Sequence, residues 1–148
     1  MNAILKSNVK ARYIIGIDPG VNTGFAVWSR EKKEFIVVTC DKIHEIMVMV
    51  KLFQQNLGTE NIFFRLEDAR LRTWFGKSGR EQLQGAGSIK RDCGIWQDFL
   101  EDLGLQYELV PPRKNRTKVS AVWFKTVTKW SGRTNNHARD AAMLVLNF

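Results

Sequence analysis

Tyr13-Ile14-Ile15-Gly16-Ile17-Asp18-Pro19-Gly20 is the stretch from which the architecture of this chain can be read. Its first residues are aromatic, β-branched or small, which suits a buried pleated strand. Proline presets φ and glycine accepts positive φ, so Pro19-Gly20 stops the strand in a turn and leaves Asp18 at its end. Working outward, residues 25–29 and 34–40 read as two more strands, separated by the charged Arg30-Glu31-Lys32-Lys33, and suggest an antiparallel meander. Ile43, Ile46, Met47, Val50, Phe53 and Leu57 then recur at three- and four-residue intervals before Gly58, the pattern of an amphipathic helix with a glycine stop. Residues 61–67 return to strand character, and residues 70–80 read as an irregular basic loop.

Leu83, Ala86, Cys93, Trp96, Leu100 and Leu103 outline a second helix ending at Gly104, with Gly85, Gly87 and Gly94 each weakening it by about 1 kcal/mol relative to alanine. Residues 106–110 read as a fifth strand. Val119, Val122, Trp123, Thr126, Val127 and Trp130 mark one face of a third helix, and residues 136–146 form a fourth behind an Asn cap. The order β-β-β-α-β-α-β-α-α predicts an α/β fold, a mixed five-stranded sheet flanked by helices. Right-handed crossovers place strand four beside strand one, so that Asp18 and Glu67 end on the same sheet edge.

The chain has 148 residues, 44% hydrophobic and 26% charged, enough for one domain and too few for two. With 23 Lys+Arg against 15 Asp+Glu the formal charge is +8, which favours a polyanionic partner, nucleic acid first. The longest apolar run, residues 141–146, is far short of a membrane span, and the opening MNAILKSNVKAR has no apolar core of a signal peptide. A cytoplasmic protein without membrane partners is expected. Cys40 and Cys93 stand in neither a metal-ligand spacing nor a disulfide framework and read as buried free thiols.

Carboxylates gathered on one edge of so basic a domain either share protons or hold a cation, because like charges at close range do not all ionise freely. Oxygen-rich sites suit Mg²⁺ or Mn²⁺, and paired ions activate water and stabilise the leaving oxygen of a phosphodiester. His137 and Asp140, spaced i, i+3 near the start of the last helix, share one face and can join the group.

At this point the residues resemble a known family. Gly16-Ile17-Asp18-Pro19-Gly20 followed by Thr23-Gly24-Phe25-Ala26-Val27 is similar to the first strand and turn of the RuvC family of Holliday junction resolvases, within the RNase H-like superfamily. Leu66-Glu67 and His137-Ala138-Arg139-Asp140-Ala141-Ala142 resemble that family's second and third acidic motifs, in order and at suitable separations. The likeness runs from about Tyr13 to Phe148, leaving residues 1–12 as a basic N-terminal extension and residues 13–148 as an RNase H-like nuclease domain. The resemblance implies a dimeric crossover junction endodeoxyribonuclease that uses Mg²⁺, with Mn²⁺ able to substitute and two ions per active site, and makes paired nicks in branched DNA. On that likeness Asp18, Glu67 and Asp140 are carboxylate ligands, His137 is the fourth metal-site group, and Lys118 stabilises transition-state charge. Many bacterial members follow the glutamate with a glutamine and an apolar wedge residue, whereas this chain has Asp68 and Ala69. Glu67 is preferred as the ligand, with Asp68 as a cap or outer group.

The positive charge is concentrated. Residues 70–91 hold Arg70, Arg72, Lys77, Arg80, Lys90 and Arg91 against Glu81, and residues 110–133 hold Arg113, Lys114, Arg116, Lys118, Lys125, Lys129 and Arg133 with no acid. Two such strips suit phosphate contacts on either side of a metal site. Trp74 and Phe75, beside Gly76 in the first strip, suit a loop that stacks on or wedges between bases, and equally suit core or dimer contacts. The glycines of the second helix, with Ala86, Ile89, Cys93 and Trp96, make it the candidate dimer interface. Alternatives within the fold are an RNase H acting on RNA:DNA hybrids, a YqgF-like RNA-processing nuclease, and a non-catalytic nucleic-acid-binding module. The sugar-kinase and actin-like ATPases share the glycine turn but need two such domains.

Overall fold

The computed structural model describes residues 6–72, 80–112 and 118–148, and for residues 80–86 the backbone alone. The elements follow the expected order: β1 (Tyr13–Asp18), β2 (Asn22–Ser29), β3 (Glu34–Lys42), α1 (Ile43–Leu57), β4 (Ile62–Glu67), α2 (Arg80–Asp102), β5 (Gln106–Val110), α3 (Ala121–Thr128) and α4 (Asn136–Met143). They build an α/β fold around a mixed five-stranded sheet in the order β3-β2-β1-β4-β5. β2 pairs antiparallel with both β1 and β3, while β4 pairs parallel with β1 and β5. The second strand begins earlier than its apolar run because Thr23 and Gly24 join the ladder, Gly24 opposite Asp18.

Alternation along the strands divides the core into two layers. Ile15, Ile17, Phe25, Val27, Phe64 and Leu66 face α1 and α2, where Ile46, Val50, Trp96 and Leu100 meet them. Ile14, Ala26, Trp28, Phe35 and Phe63 face the other way, against Phe124 of α3 and Ala138, Ala141 and Ala142 of α4. Residues 1–12, where described, are tied into this second layer. Val9 and Ala11 are buried, and the Arg30 guanidinium donates to both of their carbonyls.

α4 lies closer to the sheet than an ordinary helix. A Cβ at Gly16 would overlap the carbonyl oxygen of Ala141, and one at Gly24 would overlap that of His137. The two glycines thus form a seat for the helix, and its alanines keep the approach close. Asn135 caps the start, its Oδ1 accepting from Ala138 N at 2.9 Å, and the regular helix ends at Met143 rather than at 146, continuing into turns in which Leu146 N still donates to the Ala142 carbonyl.

The face expected for α3 meets the core only in part, through Val119 and Trp130 just outside the helix. Phe124 is the helix's buried residue and packs on Phe35, while Val122, Trp123 and Val127 face outward. Apolar residues lie on both sides of this helix, so periodicity alone does not decide which side meets the sheet. For α2, Cys93 and Trp96 of the candidate dimer stripe are buried against their own sheet, whereas Ile89 is exposed and nothing lies near a Cβ placed at Gly87.

Candidate active site

The site is built on the end of β1. Thr23 Oγ1 donates to the Gly20 carbonyl at 2.7 Å and closes the turn after Pro19, which fixes the direction in which β1 ends. Parallel pairing runs through Ile17↔Leu66, so Asp18 and Glu67 stand one step further on neighbouring strands. Both fall on the α4 face, in phase with Gly16 and Phe63. α4 starts above them. His137 Nδ1 lies 3.1 Å from Asp18 Oδ2, and Asp140, one turn later, has its carboxylate 3.9 Å from Lys118 Nζ. Asp18 and Asp140 are largely shielded, with side chains 14% and 15% exposed, while His137 at 47% and Lys118 at 61% form the solvent side.

Arg139, which the sequence does not single out, organises the approach to this corner. It is buried, and its guanidinium donates to the carbonyls of Val119 (3.0 Å) and Thr134 (3.1 Å), to Thr134 Oγ1 (2.8 Å) and to Asn136 Oδ1 (2.7 Å). One cation thereby ties the segment carrying Lys118 to the start of α4. The signal available in the sequence is an arginine between the alanines of His137-Ala138-Arg139-Asp140-Ala141, a charge on the inward side of a helix.

Asp68 belongs to a different device. Its carboxylate is buried, accepts from Arg70 N at 2.9 Å to cap a single 3₁₀ turn (Ala69–Leu71), and forms an ion pair with the Arg70 guanidinium at 2.7 Å. Burial by itself would raise its pKa. The hydrogen bonds from Arg70 and the guanidinium's charge outweigh that and hold it below the usual carboxylate range. Arg70 reaches on to Gln97 Oε1 at 2.6 Å, and Gln97 donates to Tyr107 Oη at 2.8 Å, so this arginine, expected to contact DNA, is exposed and at the same time held by protein partners. Cys93 is buried with its thiol 3.6 Å from the Glu67 carbonyl, and burial pushes its pKa up to about 11, which leaves it an unreactive thiol.

Of the residues expected to grip DNA, Arg72 is exposed and Arg80 opens α2, though its side chain lies outside the described residues. Trp74, Phe75, Lys77, Arg113, Lys114 and Arg116 also lie outside them. Among the described residues, no three His, Cys, Asp or Glu side chains already form a metal-binding group, and no helix is long and apolar enough to cross a membrane. The four candidate ligands share a face and an edge; Asp18 and Asp140 have His137 and Lys118 as neighbours. No protein-family model matches the chain, and none of the curated proteins matches it in sequence.

Proposed function

We propose that this chain is a metal-dependent phosphodiesterase of the RNase H-like class, similar to the RuvC family, which resolves four-way DNA junctions as a homodimer. One observation carries the reading: three elements far apart in sequence bring Asp18, Glu67, His137 and Asp140 to one face of one sheet edge, in a chain of net charge +8. Carboxylates with one imidazole are a donor set suited to hard divalent cations such as Mg²⁺ and Mn²⁺, two per site on this reading. Asp18, Glu67 and Asp140 would hold the ions, with His137 as the fourth group. When bound, such ions lower the pKa of a water and neutralise charge developing on the phosphate.

The chain's own groups supply the rest. Lys118, largely exposed beside Asp140, offers a cation to the non-bridging oxygens of an incoming phosphate. His137, held through Nδ1 by Asp18 and half exposed, keeps one ring nitrogen, Nε2, which would serve either as a ligand to an ion or as a proton carrier, not as both at once. The buried Arg139 positions both by holding their segments together.

The test is cleavage of a labelled four-way junction, linear duplex, flap and RNA:DNA hybrid, with and without Mg²⁺. Paired, symmetric nicks on the junction that need the metal are expected. Asp18→Asn should lower the rate by roughly 10³-fold, since an amide is a poor ligand for these ions, and leave binding intact or tighter. Glu67→Gln and Asp140→Asn should behave alike. Cleavage by Asp18→Asn at the wild-type rate would remove the site from the reaction, and faster cutting of the RNA strand in a hybrid by a monomer would favour a ribonuclease.

A further inference from the structure

α3 presents an apolar stripe to solvent in the middle of a cationic segment. Val122 is 77% exposed, Trp123 43% and Val127 47%. These side chains are not needed to hold the helix, which is fixed by Phe124 on Phe35, by the Ser120 cap (Oγ accepting from Trp123 N at 3.1 Å) and by the Arg139 bond to Val119. Residues 118–135 contain Lys118, Lys125, Lys129 and Arg133, all exposed, and no acid. At 100° per residue Lys125 lies beside Val122, on the edge of the exposed face opposite Trp123, and Lys129 follows as the left-handed residue that ends the helix. The stripe begins beside the carboxylate corner: Lys118 is the residue next to Asp140, and Trp123, five positions on, stands at most about 17 Å along the chain from it.

We infer that this face of α3 is a docking platform for nucleic acid with unpaired bases, the Trp123 indole stacking on a base while Lys125 and Lys129 meet the flanking phosphates. The assignment rests on the nuclease reading and deepens it by naming a contact surface. An exposed indole on one edge of the helix with a cation on the other edge and another at its end matches the two demands of unpaired nucleic acid, a flat apolar base and a regularly charged backbone. A second copy of the chain is the poorer occupant. A two-fold axis through the stripe would set the lysines of each copy against those of the other, with no acid in the segment to offset them. An anionic lipid surface shares the charge complementarity, but two helical turns joined to a site corner give it little apolar area to bury.

The experiment is anisotropy with labelled single-stranded, junction and blunt-duplex DNA, in EDTA so that cleavage plays no part, comparing the wild type with Trp123→Ala, Trp123→Phe and Lys125→Ala/Lys129→Ala. Trp123→Ala is expected to weaken single-strand and junction binding about tenfold or more, to leave blunt-duplex binding within about twofold, and to keep the salt slope. Trp123→Phe should recover much of the affinity. The lysine pair should flatten the slope of log K against log salt on single strands by about 0.7 for each phosphate no longer neutralised. Thermal melts should stay unchanged, because Trp123 is outside the core.

Failure of the wild-type protein to bind any probe would overturn the nucleic-acid reading and this platform with it. Wild-type binding with Trp123→Ala indistinguishable from it would overturn the platform alone. A Trp123→Ala protein that turns from dimer to monomer in sedimentation, or that loses only its affinity for phosphatidylserine vesicles, would assign the stripe to a second copy or to lipid instead.

Discussion

Glu67 and Asp68 are adjacent acids with opposite surroundings, and the reason is the two-residue period of a strand. Glu67 keeps the phase of Phe63 and Arg65 and so faces α4. Asp68, whose N–H still donates to the Val110 carbonyl at 2.9 Å, falls on the opposite face, is buried, and caps the 3₁₀ turn with its carboxylate on Arg70. The sequence favours Glu67 as ligand and Asp68 as a cap or outer group, and the cap is what the fold gives Asp68. Asp68→Asn should therefore act on stability before chemistry, costing about 1–2 kcal/mol; the guanidinium, 35% exposed, keeps part of its hydration when the charge opposite is removed. The carboxyl's pKa is lowered on folding, so its contribution is fully present above the unfolded value near 4 and is lost as pH falls through the folded value. Thermal melts of both proteins should show a constant gap from about pH 5 to 8 that narrows below about pH 4. A gap independent of pH would mean that the ion pair is not what stabilises the turn.

At the scale of elements, the site depends on how closely α4 lies on β1 and β2. Gly24→Ala drives a methyl into the His137 carbonyl, and rigid backbone on both sides offers no flexible tip to yield. A destabilisation of about 2–3 kcal/mol is expected, together with separation of His137 from Asp18. Gly87→Ala is the control. Nothing lies within 4 Å of its added Cβ and the backbone is helical, so it should be neutral or stabilise by up to about 1 kcal/mol. Paired denaturant titrations read both changes, and equal effects would mean that helix propensity, not the seat, governs Gly24. α2 also outgrows its sheet. Cys93 is level with the end of β4 through its contact with the Glu67 carbonyl, so the helical residues before it, from Arg80, extend past the edge that carries the acids. That overhang, with Ile89 and Gly87 open, is the part of the expected dimer stripe left uncovered by the domain's own core.

For the whole molecule, charge and copy number are the measurable quantities. Neutralising Arg113, Lys114 and Arg116 together should weaken binding to every DNA structure and flatten the dependence of log K on log salt by roughly 0.9 for each duplex phosphate that these side chains neutralise in the wild type. An unchanged slope would place the phosphate contacts elsewhere on the surface. A four-way junction has approximate two-fold symmetry, so two copies of one domain can each present an acid corner to strands of like polarity. Sedimentation should then give twice 17.1 kDa, and a monomer at working concentrations would leave paired nicking without its second site.

The element order, the end of β1 at Asp18, the Asn cap of α4 and the concentration of cations are all legible in the sequence, because each rests on local period, turn chemistry or counting. The adjacency of Asp18 and Glu67 follows from topology rules and is met by the parallel β1–β4 pairing. Tertiary structure alone decides that α3 buries Phe124 and exposes Val122, Trp123 and Val127, that Arg70 pairs with the buried Asp68, and that Arg139 binds the Lys118 segment to α4. These are choices between faces and partners that local sequence leaves equivalent. A helix with apolar residues on both sides, or an arginine with several acceptors in reach, is fixed by which neighbour removes more surface from water and satisfies more buried polar groups, and that neighbour lies far away in the chain.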